Sequence, residues 1–477
     1  MNSHKTDLTN GPVFSHLIKL ALPIIGASFM QMTYNLTDMI WLGMVGEDAV
    51  AAAAAAGFYV WIGFSILLIT RVGAEVGVSQ SLGREDSVTA LKFIRHALVW
   101  AILITLIYSL LVFTFAPYLI SFFSIESLIV NNEATTYLRI FSLAFIFTFT
   151  NPTFAGIYNG MGNSRSPFWY MSAGVILNLI LDPFLIFGIG FFPRLEVAGA
   201  ATASLISQLV VSAIFIFRFL IKQEMVKVNF ASFKFDRAIS LKLFKLGLPV
   251  AFESVLFAIF AMILAKMAAA FGAIAIAIQS IGAQIEAVSW MTSTGFATAL
   301  SSFTGQNYGA GKWNRIIKGF KYTIYIGTFL GLTVSLAFLI YGESIFALFF
   351  DNEESQKLGA IYLKILAVSQ LFMIYEIIAR GAFNGTGRTI PPSLTGIVFT
   401  GFRIPLAAIL IAFTSLGLYS VWWSITITSI LKGVILPLWF ISVIKNQSGE
   451  LFLNRREKWI YLLPSRIRQQ ILIKKTE

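Results

Sequence analysis

Twelve long, nearly continuous apolar stretches constrain this chain more than any other feature. They fall near 14–43, 51–81, 92–116, 134–158, 167–190 and 197–221, then near 244–270, 274–303, 315–341, 358–383, 391–413 and 416–444. A helix needs about 20 apolar residues to cross a bilayer. The runs are continuously apolar and lack the ten-residue alternation of a barrel strand, so helices are expected. Only 12% of the 477 residues are charged, 57% are hydrophobic, and the mean hydropathy is +0.79. Soluble domains carry nearer 25% charge. The chain therefore reads as an all-α polytopic membrane protein.

The net charge of +12 is distributed by side. One set of loops holds Lys5, Arg84, Lys92, Arg95, Arg165, Lys222, Lys227, Lys234, Arg237, Lys242, Lys245, Lys312, Arg315, Lys318, Lys321 and Arg388, with a basic tail from Lys445 to Lys475. The other set holds mostly acids: Glu47, Asp48, Glu126, Glu133, Glu343, Asp351, Glu353 and Glu354, against Arg194 and Lys357. Basic loops mark the cytoplasmic side, so both termini are expected there. The charge is a topology signal, and nucleic acid is not an expected partner. The tail mixes basic and apolar residues, as in Arg455-Arg456-Glu-Lys-Trp-Ile, and is expected on anionic inner-leaflet lipid. The polar start of the chain and its long first apolar run do not match a cleavable signal.

The second half repeats the first. Leu17-Ile-Lys-Leu-Ala-Leu-Pro23 matches Leu243-Phe-Lys-Leu-Gly-Leu-Pro249, and Gln80-Ser-Leu-Gly83 matches Gln306-Asn-Tyr-Gly309, both at an offset of 226. Asn159-Gly-Met-Gly162 matches Asn384-Gly-Thr-Gly387 at 225. The expected organisation is an N-lobe (1–221), a cytoplasmic linker (222–242), a C-lobe (243–444) and the tail (445–477). Six spans per lobe give both halves the same orientation, so the lobes should be pseudo-symmetric about an axis along the membrane normal. Transporters use this architecture, with cargo held between the halves.

Charges within spans are costly, at least ~2.5–3.5 kcal/mol on the mildest scales, and should face a cavity or a partner. Asp38 and Asp182 are the deep charges of the first half. Asn178 and Asp182 stand four apart on one helix face, and Pro183 frees the carbonyl of Leu179. Carboxylate, amide oxygen and carbonyl are the ligands a hard cation accepts. Thr202 offers a hydroxyl, and Asn151, where Pro152 is expected to break the fourth helix, another polar group. Two facing carboxylates also favour a shared proton, so Na⁺ and H⁺ both remain open. In the second half the deep charges are Glu253, Lys266, Glu286, Glu376, Arg403 and Lys432. The acids either line a cavity or form buried links with the bases. Arg71 and Glu75, four apart, read as a local ion pair.

There is no cysteine, no phosphate-binding G-x-x-x-x-G-K-[ST] loop, no H-E-x-x-H and no visible Ser/His/Asp grouping. The three histidines do not form a metal cluster. No enzymatic activity and no cofactor are expected, and without ATP chemistry an active transporter must draw on an ion gradient.

Together these residues resemble the multidrug and toxic compound extrusion (MATE) transporters, from about Pro23 to about Ile444. The likeness rests on Leu22-Pro23 with Asp38, the Gln-x-x-Gly ends of helices two and eight, and Asn159-Gly-Met-Gly. It rests further on Asn178-x-x-x-Asp182-Pro183, Gly199-Ala-Ala-Thr202, and Gly247-Leu-Pro249 with Glu253. The resemblance implies a two-lobe, twelve-helix exporter of cationic amphipathic compounds, working by alternating access against Na⁺ or H⁺. It implies a cation site at Asp38, Asn178, Asp182 and Thr202, and a second acid pair of which Glu253 matches and Glu376 departs. Pro23 and Pro183 are the expected hinges. A monomer in the plasma membrane of a prokaryote is expected, with membrane lipid and small-molecule drugs as partners. The alternatives are a lipid-linked oligosaccharide flippase of the same superfamily, which Arg403, Lys266 and Lys432 would suit, and a scaffold that transports nothing.

Overall fold

The structure, a computed structural model, describes residues 6–222 and 233–461. Its first six helices are α1 (Val13–Val45), α2 (Glu47–Gly83), α3 (Ser87–Ser121), α4 (Leu128–Gly160), α5 (Arg165–Phe187) and α6 (Val197–Phe215), the last extended by a π turn, Ile216–Ile221. The second six are α7 (Arg237–Ala269), α8 (Ala273–Gly309), α9 (Trp313–Phe346), α10 (Glu353–Gly385), α11 (Ile390–Phe413) and α12 (Tyr419–Tyr461). All twelve are long and apolar enough to cross a membrane, and no strand occurs among the described residues.

Local chemistry explains where the helices start. Asp86 accepts from the Thr89 amide at 2.9 Å and caps α3. Asp236 accepts from the Ala238 and Ile239 amides and caps α7, and Asn352 caps α10 through the Glu354 amide. Each side chain satisfies amides that have no partner within their own helix. Helix α7 begins before the expected boundary at 243, and α12 continues well past 444, so the expected linker and tail are partly helical. Lys5, Lys227 and residues 462–477 of the tail lie outside the described residues.

Helices α1 to α6 pack as one bundle, with α2 and α4 central and α5 against α1 and α6. Helices α7 to α12 repeat this arrangement around α8 and α10. The bundles meet along α1–α8, α2–α7 and α2–α8. The sequence repeat exchanges the first two contacts and maps the third onto itself, so the pseudo-two-fold axis passes between α2 and α8.

Outward-facing side chains such as Leu110, Phe329 and Ile340 are largely exposed, which suits hydrocarbon and not water. At the seam, glycines set between larger side chains such as Leu17, Ile25, Phe296 and Leu300 let the backbones approach closely, which favours helix packing where there is no water. A Cβ on Gly247 would lie 2.2 Å from the Ile69 carbonyl oxygen, and one on Gly295 would lie 2.3 Å from Ile25.

Helix α4 runs through Pro152 without a break, contrary to the expected interruption, and α1 and α5 run through Pro23 and Pro183. Packing on several sides supplies the stability that one missing backbone hydrogen bond removes. His96 is buried in α3. Its Nε2 accepts from the Asp236 amide at 2.8 Å, so its Nδ1 carries the proton donated to the Lys92 carbonyl. Lys92 also donates to the Asp236 carboxylate at 2.9 Å, and that bond holds this carboxyl below the ordinary carboxylate range.

The seam geometry yields a stability prediction. Gly247→Ala should destabilise the protein by about 1–3 kcal/mol through overpacking, seen as a lower melting temperature in detergent. Gly43→Ala, where nothing lies within 4 Å of the added Cβ, should be neutral or stabilising by up to ~1 kcal/mol.

Candidate functional site

The N-lobe site forms where α1 meets α5. Asp38 projects from α1 and is 9% exposed; Asn178 and Asp182 project from the buried face of α5 and are fully buried. Their four-residue spacing lets the Asn178 side-chain amide donate to Asp182 Oδ1 at 3.0 Å. The Asp38 and Asp182 carboxyls stand within hydrogen-bonding reach of one another. Asp38 Oδ1, Asp182 Oδ2 and Asn178 Oδ1 are buried without a donor. No base forms an ion pair with either acid among the described residues. Two contacting carboxylates in low dielectric cannot both be ionised unless a cation or proton lies between them, and three unsatisfied oxygens fit either.

Tyr34, one turn before Asp38, hydrogen-bonds Ser204 of α6 at 2.6 Å and also reaches the Asp38 carboxyl. Thr202 is on α6 too, but its hydroxyl donates to the Ala198 carbonyl at 2.7 Å and makes no hydrogen bond to either acid. Asn151 is placed differently from the expectation. Its side-chain amide donates to the Gln208 carbonyl and side chain, and its oxygen accepts from Ser212 at 2.6 Å. It links α4 to α6 with its polar atoms already engaged, so it is not free to serve as an ion ligand.

Asp38 also lines a cavity of ≈ 290 Å³ within the N-lobe. Its walls include Tyr34, Trp61, Phe64, Tyr137 and Phe141, with Gln31, Asn35, Thr148 and Gln208 as polar contacts and Met39 and Met171 as flexible filler. Asp38 is its one charged wall residue. Aromatic faces and a carboxylate attract an organic cation, and a few polar groups in an otherwise apolar pocket fix orientation.

The C-lobe charges form a different kind of arrangement. Arg380 of α10 pairs with Glu253 of α7 at 2.6 Å and with Glu376 one turn back at 2.5 Å. Lys432 of α12 approaches the second Glu376 oxygen at 3.7 Å. Arg403 of α11 donates to Thr428 and Ser429 of α12, both at 3.0 Å, and Glu286 of α8 accepts from Gln370 at 2.8 Å. Gly396 leaves room for Glu253, since a Cβ there would lie 2.0 Å from its Oε1.

Arg380 escaped the sequence reading because it lies near a span end. The Glu376-x-x-x-Arg380 spacing was the available signal: the side chain reaches back one turn to meet the acid. Lys266, expected deep in its span, is exposed in the last turn of α7. Arg71 and Glu75 form no ion pair among the described residues, and Glu75 accepts from Ser302 of α8 across the seam at 3.2 Å. No group of three or more His, Cys, Asp or Glu suited to a metal ion occurs among the described residues.

Comparison with known proteins identifies the family. The MatE family model matches residues 23–184 and 249–409, one block in each lobe. The chain is 24% identical to the probable multidrug resistance protein NorM of Thermotoga maritima, over 89% of this chain and 92% of that protein. It is 27% identical to the FAD transporter of Shewanella oneidensis, over 84% and 89% respectively. A MATE protein crystallised in complex with MaD3S superposes with a TM-score of 0.88 at 22% identity, covering 94% of this chain and all of that one. The match across both halves settles the family: the chain belongs to the MatE family of multidrug efflux transporters, and is a membrane transporter and not an enzyme.

Proposed function

We propose that the protein exports cationic amphipathic compounds from the cytoplasm across the plasma membrane in exchange for Na⁺ or H⁺, by alternating access. The observation that carries this reading is the double use of Asp38. One carboxyl faces Asp182 in the ion site and also forms the charged wall of the aromatic cavity. An ion bound at Asp38, Asn178 and Asp182 neutralises the charge that attracts the cargo, so ion and cargo compete for one acid. Competition of this kind couples the two fluxes without any second energy source. Thr202, with lone pairs still available on its oxygen, completes the ligand set in a state where α1 and α6 come closer. Pro23 and Pro183 lie in the two helices that carry the acids, and the backbone hydrogen bonds they lack make these the sites of bending.

The end of the bundle where α2, α4, α8 and α10 finish carries Arg84, Arg165, Lys312, Arg315 and Arg388. The positive-inside rule supports reading this as the cytoplasmic end, with both termini on that side. We assign the C-lobe network a structural role, because its three acids and three bases balance within the lobe. That balance also leaves Arg403 and Lys432 poorly suited to a pyrophosphate headgroup. The two lobes of one chain contain all the parts named, so the working unit is taken as a monomer in lipid.

Ethidium efflux from proteoliposomes, with Na⁺ and pH gradients imposed separately, tests the reading. Wild-type protein should respond to at least one gradient. Asp38→Asn should abolish gradient-driven efflux, a loss of more than about tenfold, with normal yield in the membrane; efflux at the wild-type rate would remove the assigned role. In the C-lobe, Arg380→Met should cost about 3–5 kcal/mol by stranding two buried acids, seen as loss of monodisperse protein in detergent. Adding Glu253→Gln and Glu376→Gln should restore folding, and failure to do so would argue against a purely structural network.

A further inference from the structure

The two lobes are held together at the basic end by a pair of hydrogen bonds that the sequence repeat relates to one another. Gln80 of α2 donates through Nε2 to the Gly385 carbonyl of α10 at 3.0 Å. Gln306 of α8 donates through Nε2 to the Gly160 carbonyl of α4 at 3.1 Å. Gln80 and Gln306 differ by the repeat offset of 226, and Gly160 and Gly385 by 225. Each bond therefore runs from one lobe to the other in the same way, in opposite directions. Both acceptors are the last residues of their helices, where carbonyls have no partner within the helix. Both glutamines are buried.

The surrounding geometry makes this contact close. A Cβ on Gly83 would lie 1.9 Å from the Gln306 carbonyl oxygen, and one on Gly309 would lie 2.1 Å from that of Gln80. The backbones of α2 and α8 thus touch at the axis, and no path for an organic molecule runs between them there. The segments leading into α1 and α7 cross the seam in matching fashion. Arg315 of α9 holds the Leu8, Asn10 and Gly11 carbonyls, and Lys312 holds that of Thr9. Lys92 and His96 of α3 hold Asp236 in the equivalent place before α7.

We propose that Gln80 and Gln306 are the latch of the cytoplasmic gate: positioning residues that keep the seam shut while the cavity is open on the far side, with Gln306 reinforced by the Leu8 amide, which donates to its Oε1 at 3.0 Å. Cargo enters from the cytoplasm only after both bonds break and the ends of α2 and α8 separate. This inference rests on the orientation and transport cycle proposed above. The two bonds are neutral, so they hold the gate without responding to the coupling ion, and release is driven from the acids on α1 and α5. Breaking two neutral bonds, each of modest net strength, keeps the closed state favoured yet reversible.

The chain contains no cysteine, so a single reporter is specific. Ser302 is buried at the seam opposite Glu75, and Ser302→Cys serves as the label site. Its reaction with a membrane-impermeant maleimide is measured in vesicles of each orientation, alongside ethidium efflux. Gln80→Ala should raise labelling from the cytoplasmic face roughly fivefold, Gln306→Ala at least as much because it also removes the bond from the Leu8 amide, and the double variant should exceed either single variant. Labelling from the opposite face should stay at the wild-type level. Unchanged cytoplasmic labelling in the double variant would overturn the latch, as would an equal rise from both faces, which marks general loosening. A rise confined to the opposite face would overturn the cytoplasmic assignment. Efflux by the Ser302→Cys protein, read in the same vesicles, separates a failed latch from a failed transport reading.

Discussion

Inside hydrocarbon no water is present to rescue an unpaired polar atom, and this single constraint organises the protein. The two lobes meet it in opposite ways. The C-lobe closes its charge balance internally, although Glu253 Oε2 and Arg380 Nε have no hydrogen-bond partner: Glu253 and Glu376 take Arg380, Glu376 also approaches Lys432, and Arg403 donates to Thr428 and Ser429. The N-lobe leaves its balance open, with Asp38 facing Asp182 and three oxygens unsatisfied. In the proposed cycle the coupling ion completes the open set in the N-lobe.

The duplication makes the contrast sharper. Asn151 and Glu376 are equivalent under the repeat offset of 225, and both tie the central helix of their lobe to the last one. Asn151 does so with Gln208 and Ser212, Glu376 with Lys432. Asn178 and Arg403 are equivalent in the same way. Where the C-lobe carries a fixed guanidinium, the N-lobe carries an amide beside a carboxylate. Equivalent positions of the repeat thus hold a buried guanidinium in one lobe and an amide beside two carboxyls, the proposed ion site, in the other. At the seam the two copies remain alike, because the same glutamine and glycine pair must work in both directions across one axis.

Much of this was legible in the residues because membrane spans impose strong, local rules. Twelve apolar runs could be only helices, and the matched motifs fixed the repeat. The four-residue spacing of Asn178 and Asp182 fixed their shared face. Other positions misled for an equally physical reason: depth along a span says nothing about where a long or short side chain ends. Arg380 reaches back into the lobe from a span end, while Lys266 is exposed in the last turn of its helix. Asn151 beside a proline looked available, but its amide was already taken by α6. Glu75 looked paired with Arg71 along its own helix, and instead bonds Ser302 in the other lobe.

The sequence by itself determined the all-helical membrane fold, the two-lobe repeat, the basic face and which polar side chains lie within the spans. These follow from hydropathy, spacing and the chemistry of each side chain, which are properties of short stretches of chain. Only the tertiary structure decided that Asp38 and Asp182 share one space, that the C-lobe charges cancel one another, and that Gln80 and Gln306 bridge the lobes. Each of these depends on helices far apart in the chain approaching within a few ångströms. Such approaches are set by glycine-sized gaps and helix crossings, which no local pattern encodes.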